Sequence, residues 1–169
     1  VILATGGLSY PTTGSTGDGY AISQSLGHTI INTFPSLTAL KPVETDSRLE
    51  GLLLKNVRMD LWVNGSLVQS EFGEMQFTSG GIEGALGFRV SRKGVKGLIN
   101  GQKVVVSIDL KPAVEEGELT KRVEELASGM KSPNVIKLLP KLMPSQMIDS
   151  FVESSSPGLS VNNLAKRLK

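Results

Sequence analysis

Residues 56 to 63 alternate strictly in character: Val57, Met59, Leu61 and Val63 fall on one side, and Asn56, Arg58, Asp60 and Trp62 on the other. Asn64-Gly65 follows, the dipeptide that best supplies the two positive-φ positions of a type I′ turn, and Ser66 to Phe72 runs on as the return strand. A period-two pattern closed by such a turn commits the middle of the chain to antiparallel sheet, because a helix would scatter its apolar residues over every face. Further strands are expected at Leu37 to Leu40, Glu74 to Thr78 and Lys103 to Leu110. Five or six short strands with Gly or Pro between them predict a small barrel or a strongly curved sheet. Gly80 to Ala85 should lead into a short helix or irregular crossover over Leu86 to Arg92.

The pattern changes on either side of this zone. From Ala113 onward the period is helical: Leu119, Val123, Leu126 and Met130 share a stripe, and Val161, Leu164 and Leu168 form another behind a capping Ser160. Ser132-Pro133 and Met143-Pro144 read as helix starts with Pro at the first helical position. Residues 113–169 are therefore expected to be a helical bundle. Residues 1–34 read as strand (Val1 to Ala4), glycine loop, short helix and strand (His28 to Ile31), with Asp18 as N-cap and Gly27 ending the helix in the left-handed conformation. The fold class is α+β, divided into 1–34, 35–112 and 113–169.

With 169 residues the chain has the size of one domain or two small ones sharing a core. It contains no cysteine and a single histidine, which excludes disulfides, thiolate metal sites and histidine-pair chemistry; no metal site is expected. A net charge of +2 is too small to make nucleic acid the expected partner. No stretch approaches the roughly 20 apolar residues of a membrane span, and no signal peptide precedes the first strand, so the cytoplasm is the expected location. Val1 in place of Met, opening directly on an apolar strand, predicts a piece of a longer protein.

Glycine is the informative excess, at 19 of 169 residues against an average of roughly 7%. Five of the 19 lie between Gly6 and Gly19: Ala4-Thr5-Gly6-Gly7, then Ser9-Tyr10-Pro11, then Thr13-Gly14-Ser15-Thr16-Gly17-Asp18-Gly19. They stand between a strand and a helix N-terminus, the place where α/β folds bind ligands, and the hydroxyls around them add uncharged donors suited to ring carbonyls, ribose or phosphate oxygens. A loop that is merely tight is the competing explanation, since the spacing is not the usual GxGxxG.

Ala-Thr-Gly-Gly at a strand end, with Thr-Gly-Asp-Gly opening a helix that closes in Leu-Gly-His, is similar to flavoproteins with two dinucleotide-binding domains. The run from Leu3 to Tyr20 resembles more narrowly the bacterial BaiN-like group of NAD(FAD)-utilising dehydrogenases and aminoacetone-oxidase-like proteins. Pro35-Ser36-Leu37, Gly73-Glu74 to Phe77-Thr78, and Gly81-Ile82-x-Gly84 also fit that group. The resemblance implies a discontinuous FAD-binding domain interrupted by an insert of a small six-stranded β-barrel and a helical bundle. Residues 1–34 would be a segment of the first and 35–169 the second.

It further implies FAD as cofactor, NAD(P)H as a possible electron donor, a small-molecule substrate, and the remainder of the flavin domain as the chain's own partner. The cofactor contacts implied are Ala4, Thr5, Gly6, Gly7, Thr13, Gly14, Ser15, Thr16, Gly17, Asp18 and Gly19. The protein would be an FAD-dependent oxidoreductase, and this piece alone would be inactive. Group members often carry His after the Phe-Thr pair and Ser-Gly-Pro beyond it, where this chain has Ser79 and Glu83-Gly84-Ala85, so that histidine's role does not transfer. Tyr10, Glu83 and Arg89 are the candidates for the substrate pocket, and no residue is assigned as catalytic acid or base. His28, next to the helix-ending Gly27, is expected to meet the last helix carbonyls. The basic residues Lys137, Lys141, Lys166, Arg167 and Lys169 are expected on a solvated face. The alternative of another class is a non-enzymatic barrel and helix module binding RNA or protein, which gives the glycine loop no purpose.

Overall fold

Asn64 and Gly65 have φ of 50° and 80°, the two left-handed positions of a type I′ turn, and they join the longest strands of the computed structural model. The structure describes residues 1–130, 134–155 and 158–169. Strand β1 (Leu53–Val63) and strand β2 (Ser66–Thr78) pair antiparallel with Val63 opposite Ser66. The short β3 (Gly81–Glu83) adds to the outer edge of β2, and β4 (Val104–Asp109) to that of β1, giving the order β3-β2-β1-β4. Register slips between Leu54 and Val57 and between Leu61 and Trp62 insert bulges, the first with Asn56 at a φ of 56°, and such bulges bend and twist a sheet. The sheet curls accordingly.

Among the described residues the structure shows this curled four-stranded sheet, a half-barrel, and does not confirm the expected six-stranded barrel. Two expected strands, 66–72 and 74–78, are one continuous β2. The stretch Leu37 to Leu40 forms a single bridge, Leu40 to Ile82, and Ser36 and Thr38 are held instead by the buried hydroxyl of Ser91. The short helix or irregular crossover expected over Leu86 to Arg92 is a helix of 16 residues, α2 (Gly84–Ile99), which packs against the sheet. Glycines allow that approach. A Cβ on Gly87 would stand 2.7 Å from the Ile82 carbonyl oxygen, and one on Gly97 would stand 2.9 Å from a Val104 methyl. Met59, Leu61, Met75, Leu86 and Val90 fill the layer between helix and sheet without solvent exposure. On the outer face Trp62 donates from Nε1 to Ser107 Oγ.

A second core is helical. Helix α3 (Glu116–Ser128), α4 (Val135–Leu138), α5 (Ile148–Ser155) and α6 (Val161–Leu168) bury Leu119, Val123, Leu138, Leu139, Leu164 and Leu168. Asn163 Oδ1 accepts from the Ser160 amide at the start of α6. Pro144 precedes a single 3-10 turn, Ser145–Met147, that runs into α5, while the start expected at Ser132-Pro133 lies outside the described residues. Leu110 and Met147 pack against both cores. Asp109, only 1% exposed, accepts from the Lys111 amide and sits 3.0 Å from both Arg58 Nη2 and Lys169 Nζ. Lys169 also donates to the Lys111 and Val114 carbonyls. It is thus an interior tie and not part of a solvated basic face, because three oxygens converge on its ammonium.

Val1–Pro35 forms a compact unit separate from Ser36–Lys169. Its one α-helix, α1 (Asp18–Ser25), ends in a Schellman motif: Gly27, at a φ of 89°, donates to Gln24 O, and the His28 amide donates to Ser23 O. The expected strands Val1 to Ala4 and His28 to Ile31 have no regular secondary structure and pair with no strand, since a strand exists only as part of a ladder. Among the described residues no helix is long and apolar enough to cross a membrane.

Candidate functional site

The glycine loop is built from local constraints. Pro11–Thr13 makes one 3-10 turn, held by the Thr13 amide and hydroxyl both donating to Tyr10 O, and Gly14 leaves it at a φ of 87°. Gly17, at 88°, is the N-cap of α1; the expected cap, Asp18, is the first helical residue and makes no capping bond. A left-handed N-cap is open to glycine, whereas a carboxylate in the first turn favours the helix through its dipole. The other glycines let strands of the loop touch. A Cβ on Gly6 would fall 2.6 Å from Ser15 Oγ, one on Gly17 equally close to Leu8, and one on Gly19 against Thr5 Oγ1.

The structure therefore brings Thr5, Gly6, Ser15, Gly17, Asp18 and Gly19 together. Among the described residues the amides of Gly6, Gly7, Ser15, Gly17, Asp18 and Gly19 donate to no acceptor of the chain. Unpaired amides with neighbouring hydroxyls at a helix N-terminus match the oxygen-rich parts of a dinucleotide, carbonyl or phosphate, without an opposing cation. Tyr10 is 71% exposed beside this loop.

In the larger unit, the turn from β2 to β3 carries Ser79 where the BaiN-like group often has histidine. Thr78 Oγ1 donates to Gly81 O and accepts from the Gly80 amide, which fixes the turn. The turn faces a cleft of about 300 Å3, lined on the other side by the loop from Pro42 to Glu50. Phe77 gives it an apolar wall, and Glu44, Asp46 and Glu50 make it acidic. Glu83, at the N-cap of α2, lies over Gly80 at the edge of the turn, and Arg89 points away to Glu71, 3.5 Å distant. Neither lines the cleft.

What holds the cleft's outer loop is a group of residues that sequence reasoning missed. Asp46 accepts from the Arg48 amide and guanidinium and from Ser150 Oγ, and Arg48 reaches on to Glu153 of α5. Hydrogen bonds from Arg48, then Ser150, hold the Asp46 carboxyl well below the usual carboxylate range, and Arg48 lowers Glu153 in the same way. A depressed folded-state pKa contributes stability above the unfolded value and loses it as the pH falls. With intrinsic exchange at each pH divided out, the protection of amides 44–50 is therefore expected to be lower at pH 3 than at pH 6, and Arg48→Ala to remove that difference. The groups are exposed, so the effect stays local. Asp46-x-Arg48 is visible in sequence, but its partner stands 105 residues further on.

An α+β unit with a curled antiparallel sheet, one long backing helix and a small helical bundle is the class this architecture defines. The family model described as "HI0933-like protein barrel and H2TH domain" matches residues 34–168, and the chain belongs to that family. It is similar to the 3-dehydro-bile acid delta(4,6)-reductase of Clostridium scindens, at 31% identity over 165 residues, covering 92% of this chain and 38% of that protein. It is also similar to the ribosomal RNA dihydrouridine synthase of Haemophilus influenzae, at 29% identity over 154 residues, covering 90% of this chain and 36% of that protein. The chain thus spans little more than a third of the length of these curated relatives.

Proposed function

We propose that the protein containing this chain is an FAD-dependent reductase that saturates a carbon–carbon double bond of its substrate. The observation that carries this reading is the set of unpaired amides at the N-terminus of α1, in one polypeptide with a barrel and H2TH unit. The names of the two relatives, a delta(4,6)-reductase and a dihydrouridine synthase, both denote addition of two hydrogens to an unsaturated substrate. A bound reduced flavin would supply the hydride for one carbon, with solvent as the source of the proton for the other and NAD(P)H as the donor that reduces the flavin.

In this reading Ala4 to Gly7 and Thr13 to Gly19 orient the flavin through backbone amides and the hydroxyls of Thr5, Thr13, Ser15 and Thr16. Residues 1–34 belong to the flavin-binding domain, which the rest of the protein completes. The barrel segment 35–112 and helical segment 113–169 shape the substrate side for a small-molecule substrate and exclude water.

The test is the cofactor content of the full-length protein. Released FAD and a flavin absorption spectrum are the expected result, and a well-folded protein without flavin overturns the reading. Gly17→Val places a branched side chain at a φ of 88° and against Leu8, so it is expected to lose most of the bound flavin while far-ultraviolet circular dichroism is retained.

A further inference from the structure

Residues 41–50 form a strap pinned at both ends to the sheet. At one end the amide and carbonyl of Leu40 exchange bonds with Ile82, at 3.0 and 2.8 Å; at the other the Gly51 amide donates to Phe77 O and the Phe77 amide to Leu52 O. Between these anchors lies one 3-10 turn, Ser47–Leu49, capped by Asp46, and among the described residues no group of the segment bonds to a strand. What holds it from outside is three side chains of the helical end. Gln146 donates to the carbonyls of Arg48 (2.8 Å) and Glu50 (3.1 Å), Ser150 donates to Asp46, and Glu153 accepts from Arg48. Leu49 packs against the sheet core, two residues before the Gly51 anchor.

The strap lines two cavities. Pro42, Thr45 and Leu49 border the cleft of about 300 Å3 that Phe77, Thr78 and Gly81 also line. Thr45, Arg48 and Leu49 border a second, of about 630 Å3, together with Met147, Ser150 and Phe151. Thr45, Ser47 and Leu49 are common to both, so the segment is the wall the two cavities share. Its fastening is weak. The Arg48 side chain is 45% and that of Glu153 66% exposed, and Val43 is fully exposed. Ion pairs in water hold little, and a segment fastened by them between firm anchors opens locally far more often than the sheet that carries it. Gly51, at a φ of 83° with no atom near its would-be Cβ, has both the backbone freedom and the space to turn.

We propose that residues 41–50 are a hinged gate, latched by Ser150 and Glu153, that sets the size of what enters the cleft at Phe77 and Thr78. Latched, it confines a ligand to the smaller cavity. Released, it turns about Leu40 and Gly51 and joins the two cavities, which admits a bulkier one. The device lies within the unit Ser36–Lys169 and works without the flavin.

The experiment is thiol labelling of the full-length protein carrying Thr78→Cys, with iodoacetamide as the small reagent and fluorescein maleimide as the bulky one. The 169 residues contain no cysteine, and reaction of any thiol elsewhere in the polypeptide is subtracted with the protein lacking the substitution. Ser150→Ala/Glu153→Ala frees Asp46 and Arg48 while placing good helix formers in α5. It is expected to raise the maleimide rate on the order of tenfold and to leave the iodoacetamide rate within about twofold. Lys41 precedes a proline, so Arg48–Leu49 is the tryptic bond of the strap, and its cleavage is expected to rise in parallel. Gly51→Ala leaves the latch in place but disfavours the left-handed φ of the latched form, and is expected to raise the maleimide rate as well. Glu124→Ala, exposed on α3, removes the same charge as Glu153→Ala and is expected to change neither rate. A maleimide rate unchanged in both the latch and the hinge variant overturns the proposal. So does an equal rise for both reagents, or loss of amide-exchange protection at Leu40, Gly51, Phe77 and Ile82 in the latch variant, because the anchors would then have come apart with the strap. A protein that lacks flavin yet shows the size-selective rise sinks the reductase reading alone; one that holds flavin but shows no such rise sinks this proposal alone.

Discussion

Asp109→Ala is expected to destabilise the protein by about 3 kcal/mol, read as a lowered urea midpoint with unchanged slope. The carboxylate is 1% exposed and concentrates three roles on one side chain. Oδ1 accepts from the Lys111 amide at 2.8 Å, turning the chain out of β4. Oδ2 lies 3.0 Å from Arg58 on β1 and from Lys169 after α6, although neither cation is aligned to form a hydrogen bond with it. Its attraction for both is therefore electrostatic and depends on their remaining beside it. Lys169 is 18% and Arg58 39% exposed, so removing the carboxylate leaves one cation largely desolvated without a counter-charge. The Leu110 amide donates to Leu168 O next to this point, and with Lys169 it ties the sheet to the helical core. Lys169→Met in the Asp109→Ala background is expected to recover part of the loss, because it removes the stranded charge. An additive double variant would show that the pair is not coupled.

Gly87→Ala carries the second large effect, a loss of about 1–3 kcal/mol. Elsewhere in a helix the same change is favourable by up to about 1 kcal/mol. Here the new Cβ would sit 2.7 Å from the Ile82 carbonyl oxygen, a backbone atom that also accepts from the Leu40 amide. The clash is relieved only by lifting α2 from β3 or by breaking the Leu40 bridge, and both open the layer around Ile82 and Leu86. Gly117→Ala is the control. It lies in the first turn of α3 with nothing near its would-be Cβ, and it is expected to be neutral or slightly stabilising. Equal effects of the two substitutions in chemical denaturation would mean that α2 does not depend on the close approach.

The same glycines explain where sequence reasoning stopped short. Only a short helix or an irregular crossover was expected over Leu86 to Arg92, whereas α2 runs for 16 residues and contains Gly84, Gly87, Gly94 and Gly97. Helix propensity disfavours them, but burial of the α2 face against the sheet outweighs that cost, and glycine is what permits the distance. The hairpin had no such conflict: alternation and Asn64-Gly65 agreed, and the strands are where the pattern put them. The helical stripes of α3 and α6 were equally plain.

In the candidate sites the division follows sequence separation. The glycine loop was legible because its bonds and close approaches lie within 20 residues, and positive φ selects glycine locally. The tie from Arg48 to Glu153 was not, since nothing near either residue specifies the other.

Period, turn chemistry and glycine placement are short-range properties, and they were enough to settle the hairpin, the helical end and the tight glycine loop at the start of α1. Whether the sheet closed, how far α2 ran, and which charges ended up buried or aligned depended on contacts between distant segments. Those are decided by packing and by the cost of leaving a charge or a backbone group without a partner, and no local pattern encodes either.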